Sequence, residues 1–265
     1  MPETRVSDEY YLDPALYDAV YADVVADIAP HVERMRGAGG PALELCCGNG
    51  RLLLPTLEAG VACDGLDLDP DMLASLREKL AAWGLRTHVT LGDMRAFSLP
   101  GRYALIAIGF NSFLHNLTQE DQLATLRCCR RHLLPGGRLA ITVFHPSAKG
   151  LLEWSGEEKL RKELPHEGGR VRVYEHADDD RVEQIRRVSR RIEFLDAAGT
   201  VVRHASVSFR LRYIYKPEME LLLRVAGFTR WEARPAFASY TDAASLAGER
   251  PLREGDNVAW TAWNE

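Results

Sequence analysis

Apolar positions near the start of the chain fall at helical spacing. Leu16, Val20, Val24, Ile28, Val32 and Met35 form one stripe. Asp13-Pro14 reads as a cap followed by a proline at the first helical position. The spacing therefore predicts a helix over 13–35, broken by the glycine-rich run 37–41. Short apolar runs then alternate with amphipathic ones. Strands are expected at 42–46, 62–68, 88–91, 103–109 and 138–144. Helices are expected at 51–59, 70–83 and 119–134, the last ended by Pro135-Gly136-Gly137. Strands alternating with helices predict an α/β fold, a doubly wound and mostly parallel sheet covered on both faces.

After His145 the period changes. Segments 169–194 and 200–214 read as extended, with a hairpin turn at 196–199 between them. This predicts an antiparallel β-subdomain inserted into the parallel fold. A helix at 217–226 capped by Gly227 follows, then last strands at 228–233 and 257–263. The loop 234–256 between those strands is long for a structureless connection and reads as a lid or as partly helical. The expected organisation is 1–145 as N-terminal helix and core, 146–215 as inserted sheet (a substrate cap or dimer surface) and 216–265 as completion of the core sheet.

Composition narrows the function classes. The chain has 265 residues, 46% of them hydrophobic, and a formal net charge of −5. An acidic balance disfavours nucleic acid as a partner, since phosphate neutralisation needs a basic surface. No apolar run approaches the roughly 20 residues that span a bilayer, and no basic segment with an apolar run marks a signal peptide. Cys46, Cys47, Cys63, Cys128 and Cys129 make a poor disulfide framework and lack zinc-site spacing. A reducing cytoplasm and no bound metal are expected.

Three elements carry chemistry. Leu43-Glu44-Leu45-Cys46-Cys47-Gly48-Asn49-Gly50-Arg51 reads as a strand entering a glycine turn that opens a helix. Gly48 and Gly50 let the backbone pass close to a ligand. Asp67, at the end of the next strand, stands where an acid accepts bonds from ribose hydroxyls. Asp93 follows the third strand, where an acid accepts from an adenine amino group while the adjacent N–H donates to the ring. All three fall at the strand ends where such sheets bind ligands.

The successive stretches ELCCGNGR, GLDLDPDML, LGDMRAF, LIAIGFNSFLHNL and LLPGGRLAITVF resemble the motifs of class I S-adenosylmethionine (SAM) dependent methyltransferases. The resemblance covers residues 10–145 closely. It implies a seven-stranded sheet with one antiparallel strand. It also implies Glu44, Gly48 and Gly50 around the methionyl part, Asp67 on the ribose, and Asp93 with Met94 around the adenine. Cys46, Leu68, Met72 and Phe110 complete the implied cofactor set, and S-adenosylhomocysteine is the implied product. A nicotinamide fingerprint is disfavoured, because Leu53 stands where a third glycine belongs.

Tyr17 and Tyr21 resemble the N-terminal tyrosines of deoxyamino-sugar N,N-dimethyltransferases, which also insert an antiparallel sheet after the fifth strand. Asn111-Ser112-Phe113-x-His115 is similar to a stretch of glycine N-methyltransferases, with Asn116 in place of leucine. Methylation of a small-molecule amine is therefore expected. Oxygen or carbon methylation, or a SAM-binding enzyme that does not methylate, remain alternatives on the same fold.

His115 and His145 are the candidate proton acceptors, and Asn111, Ser112, Tyr213 and Tyr215 the candidate substrate contacts. Packing or capping is the alternative for His115, and membership of the apolar stripe is the alternative for Tyr17 and Tyr21. Arg51 reads either as a partner of the methionyl carboxylate or as a solvated first-turn residue. The run Arg186, Arg187, Arg190 and Arg191 reads first as sheet surface paired with local acids, and second as an anion site. A small-molecule substrate is expected, with no membrane partner and with a homodimer as a permitted assembly.

Overall fold

The computed structural model describes residues 6–7, 13–154, 156–237 and 250–265. In chain order the elements begin with β1 (Val6–Ser7), α1 (Pro14–Tyr21), α2 (Ile28–Arg36), β2 (Ala42–Leu45) and α3 (Leu53–Glu58). β3 (Cys63–Asp67), α4 (Pro70–Ala82), β4 (Val89–Leu91) and β5 (Tyr103–Ile108) follow. After a 3-10 turn at Ser112–His115 come α5 (Gln119–His132), β6 (Leu133–Phe144), α6 (Ala148–Trp154), β7 (Lys159–His166) and β8 (Gly169–Asp180). β9 (Ile185–Leu195), β10 (Val201–Arg212), α7 (Lys216–Val225), β11 (Arg230–Pro235) and β12 (Asn257–Trp263) complete the chain. These elements form two compact units, 1–23 with 147–213 and 24–146 with 214–265.

The second unit holds a seven-stranded sheet in the order β11-β12-β6-β5-β2-β3-β4. β12 runs antiparallel to β11 and β6, and the remaining pairs are parallel. This is the doubly wound architecture expected, with its one antiparallel strand. The interior strand β2 is buried along its whole length, as a strand covered on both faces must be. Leu45 pairs with Leu66 of β3 and Ile108 of β5. The loops leaving these parallel strands therefore open on one edge of the sheet.

The expected helix over 13–35 is two helices. Pro30 is the reason. It lies in the first turn of α2, where a missing N–H costs nothing. In a continuous helix its ring would meet the carbonyl of Ala26. The expected strand at 138–144 begins earlier, at Leu133, and runs through Pro135-Gly136-Gly137. A Cβ at Gly137 would stand 2.9 Å from the Leu134 and Tyr103 carbonyl oxygens, so only glycine permits that backbone approach. The register of β5 on β6 shifts at the same place.

The first unit holds a second sheet, ordered β1-β10-β9-β8-β7. β7 to β10 are antiparallel, while β1 runs parallel to β10. The hairpin at 196–199 forms as expected: Asp196 Oδ1 accepts from the N–H groups of Ala198 and Thr200. A second turn, after Asp180, divides the segment expected to be continuous. Asp180 Oδ1 accepts from Val182 and Glu183 N–H, and Gln184 closes the turn at φ 58. An acid and a glutamine form this turn without glycine or proline, so the usual breaker signal is missing. β7 and α6 are further elements without a sequence expectation.

α1 groups with this inserted sheet, whereas the sequence reading placed it with the core. Lys162 on β7 donates to the Val20 carbonyl and pairs with Asp23, and Arg190 donates to the Tyr21 hydroxyl. The arginine run is paired across strands. Arg186 grips Asp179 with two bonds of 2.8 and 2.7 Å, Arg190 meets Glu175, Arg191 meets Glu158 and Glu193, and Arg187 faces Asp178. The surface ion-pair reading of the run holds, with Arg186 and Arg190 more buried than expected.

The more buried and the more exposed of these pairs differ in consequence. The Asp179 side chain is 1% exposed, so Asp179→Ala removes two charge-assisted hydrogen bonds from a mostly buried guanidinium and is expected to cost about 1.5–3 kcal/mol in urea unfolding. Asp178→Ala, whose pair with Arg187 is solvated, is expected to cost at most about 1 kcal/mol.

Candidate functional site

The loop after β2 turns on three residues with positive φ: Cys46 at 58°, Gly48 at 53° and Gly50 at 98°. At Gly50 a Cβ would stand 2.6 Å from Leu76 Cδ1 and 2.8 Å from Leu54 Cγ, so the loop lies tight on the core. At Gly48 a Cβ would enter open space. Cys46 adopts the left-handed region that non-glycine residues disfavour. Its Sγ lies 3.6 Å from Met94 Sδ. Met94 Sδ is also 3.7 Å from Asn116 Nδ2. Asn116, buried, donates to the Phe113 carbonyl and accepts from the Thr125 hydroxyl. The chain therefore links the first, third and fourth strand-end loops through three side chains. Asn116 is the position where the resemblance expected leucine.

Asp67 lies at the end of β3 and is buried. Its Oδ2 accepts from Gly48 N–H at 2.7 Å and its Oδ1 from Asp69 N–H at 2.9 Å. Burial pushes its pKa up, and the two backbone donors oppose that rise. Asp69 caps α4 by accepting from Asp71 and Met72 N–H. Leu68, between the two acids, is exposed, whereas Met72 is buried. Asp93 is gripped by Arg95 through Nε and the terminal nitrogen, and Arg95 also reaches Asp121. The Arg95 guanidinium holds the Asp93 carboxyl below the usual carboxylate range.

Arg51 donates to both carboxylate oxygens of Asp27, at 2.8 and 2.6 Å, and to the Val24 carbonyl. Its guanidinium stacks 4.2 Å above the Phe110 ring. Neither expected role for Arg51 included this buried partner. Glu44, buried at the end of β2, lies 3.3 Å from His31 Nε2. Asp27 and His31 were missed by the sequence reading. A signal existed: both are polar, yet they fall on the face of α2 that also carries buried Met35.

On the other side of the sheet edge, Phe110 and Asn111 take φ of 49° and 64°. Asn111 Oδ1 accepts from Phe144 N–H at 2.7 Å, and its own N–H donates to the Thr142 carbonyl. Asn111 thereby ties the ends of β5 and β6 together. Ser112 opens the 3-10 turn that ends at His115. Burial pushes His115 down to about 4. His145 follows β6; its N–H donates to the Asp256 carbonyl and its carbonyl accepts from Gly255 N–H. Its ring stands edge-on to Tyr215, 5.8 Å away. Arg250 holds Asp256 by two bonds, and residues 238–249 of the loop expected at 234–256 lie outside the described residues. Tyr215 is 40% exposed, but Tyr213, expected to line a pocket, is 1% exposed and belongs to the first unit. Tyr17 and Tyr21 also lie in the first unit, their ring centroids 4.6 Å apart.

Two tests follow from this geometry. Cys46→Gly exchanges a left-handed penalty of about 1–2 kcal/mol for a chain-entropy cost of about 0.5–1 kcal/mol. Its stability in urea is expected within about 1 kcal/mol of wild type, whereas Cys46→Val, β-branched at φ 58, loses about 2 kcal/mol or more. His115 takes up its proton at 6.5 in the unfolded chain and at about 4 in the fold. The unfolded state thus binds more protons between those values, so stability falls as pH drops from 6.5 toward 4. His115→Gln is expected to flatten that part of the stability–pH curve.

The comparisons with known proteins agree with the geometry. Residues 42–137 match a family described as a methyltransferase domain. The chain is 32% identical over 133 residues to the dTDP-3-amino-3,6-dideoxy-alpha-D-glucopyranose N,N-dimethyltransferase of Streptomyces fradiae, covering 48% of this chain and 51% of that protein. The chain thus spans about half the length of the curated relatives it matches. Among solved structures, a sugar N-methyltransferase from Streptoalloteichus superposes with a TM-score of 0.73 at 21% identity, covering 99% of this chain and 97% of that one. A SAM-bound amino pentose methyltransferase from Micromonospora echinaspora superposes with a TM-score of 0.68 at 23% identity, covering 98% and 99%. These two likenesses establish the fold. The match to a methyltransferase domain at 42–137 thus lies within a fold similar to that of these two methyltransferases.

Proposed function

We propose that this protein transfers a methyl group from SAM to the amine of a small molecule in a biosynthetic pathway, with an amino sugar as the acceptor class that its relatives suggest. The observation that carries the donor reading is the Asp67 carboxylate bonded to Gly48 N–H at the shared edge of β2 and β3. The residues present fit such a donor. Space lies open in front of Gly48, and the buried Glu44 Oε2 has no hydrogen-bond partner among the described residues. Asp67 would hold the ribose hydroxyls. Leu68 offers an exposed apolar surface beside it, and Asp93 with Met94 would flank the adenine. Glu44 and Gly48 would face the methionyl end.

A bound donor supplies a methyl group already activated by its sulfonium. The protein's own task is to orient the nucleophile and keep it unprotonated. His115, neutral well below pH 7, is the candidate to orient an incoming amine. A group of such low basicity captures a proton weakly, so its contribution lies mainly in orientation. His145 and Tyr215 offer a second polar border at the end of β6. The five thiols are unpaired, which suits the reducing cytoplasm. No helix among the described residues is long and apolar enough to cross a membrane.

Calorimetry with S-adenosylhomocysteine tests the donor. Asp67→Ala is expected to weaken binding by about tenfold or more, the loss of a charge-assisted bond. Labelled SAM offered with amino sugars, simple amines, phenols and quinols tests the acceptor. Label in amines supports the reading, and label in a quinol alone sinks it.

A further inference from the structure

α2 presents two buried polar side chains to the glycine loop. Asp27 stands at its start and His31 one turn later. Asp27 neutralises Arg51 with two hydrogen bonds, at the C-terminal side of the loop. His31 Nε2 lies 3.3 Å from Glu44 Oε2 at the N-terminal side, and both side chains are 4% exposed. Neither of those two atoms completes a hydrogen bond among the described residues. By formal charge, with histidine neutral, the four residues sum to a single negative charge, and it resides on Glu44. A buried carboxylate with only an imidazole at that distance is under-compensated. Arg51 is already matched by Asp27, which argues against its recruitment by a ligand carboxylate. The cluster is therefore built to receive a positive group at Glu44.

We propose that His31 is a positioning residue that holds Glu44 toward the ammonium group of the donor's amino-acid end. The inference rests on the SAM reading above. Mechanically, α2 packs against α3, so the helix that carries His31 also braces the helix that the loop opens. The imidazole 3.3 Å from Glu44 Oε2 restricts the orientation of the carboxylate. His31 acts through Glu44 and needs no contact with the donor itself.

Two ligands separate this role from simple packing. S-adenosylhomocysteine carries the amino-acid end, and 5′-methylthioadenosine has the adenosine and thioether without it. The wild-type protein is expected to bind both. His31→Ala is expected to weaken S-adenosylhomocysteine about tenfold while changing 5′-methylthioadenosine by no more than about twofold. His31→Asn, too short to span the gap, is expected to do the same and serves if the alanine variant fails to fold. His31→Gln, which keeps a donor near the Nε2 position, is expected to restore most of the affinity. Equal losses for both ligands, or no loss for either, overturn the proposal and leave the donor reading intact. A wild-type protein that binds neither ligand overturns the donor reading and this proposal together.

Discussion

Gly48 donates its backbone N–H to the Asp67 carboxylate across the gap between β2 and β3. This one bond requires the two strands to end level, in parallel register, with a glycine turn on one and an acid on the other. Each requirement reaches further into the molecule. Parallel strands need the crossover helices that bury β2 on both faces. The turn needs Gly50 against Leu54 and Leu76, where a side chain would collide with the core. The acid needs a second donor, Asp69 N–H, to remain tolerable while buried. The binding edge is thus a consequence of how the sheet is packed.

Charge compensation is the second organising constraint. Acids and bases at low exposure occur in pairs in both units: Asp27 with Arg51, Asp179 with Arg186, Glu175 with Arg190. Such pairs mainly avoid the larger penalty of an isolated buried charge. Buried Asp67 is compensated by backbone N–H donors instead, whereas Glu44 faces a histidine without a completed hydrogen bond among the described residues. An under-compensated carboxylate beside a glycine loop stands out against that background of matched pairs. At Cys46 the backbone likewise departs from the favoured pattern, with a left-handed conformation at the same loop. Strain and unmatched charge coincide where ligand recognition is proposed.

Much of the core was legible in the sequence because its signals are local. A strand running into glycines, an acid at the next strand end and alternation of strand with helix depend on residues within a few positions of each other. The break in the first helix was also legible, through Pro30, although the apolar stripe outweighed it. The turn after Asp180 was not, because an acid and a left-handed glutamine carry it without a glycine or proline.

The sequence by itself determined the fold class, the strand-end positions of Glu44, Gly48, Asp67 and Asp93, and the expectation of ion pairs between the arginine run and local acids. Only the tertiary structure decided what each of those side chains meets. Arg51 meets Asp27 from 24 positions away, Glu44 meets His31, Cys46 meets Met94, and the first helix groups with the inserted sheet. Chain distance carries no information about such encounters, since they arise only when packing brings remote polar groups out of water together. Buried polar groups must then find partners wherever the fold has placed them.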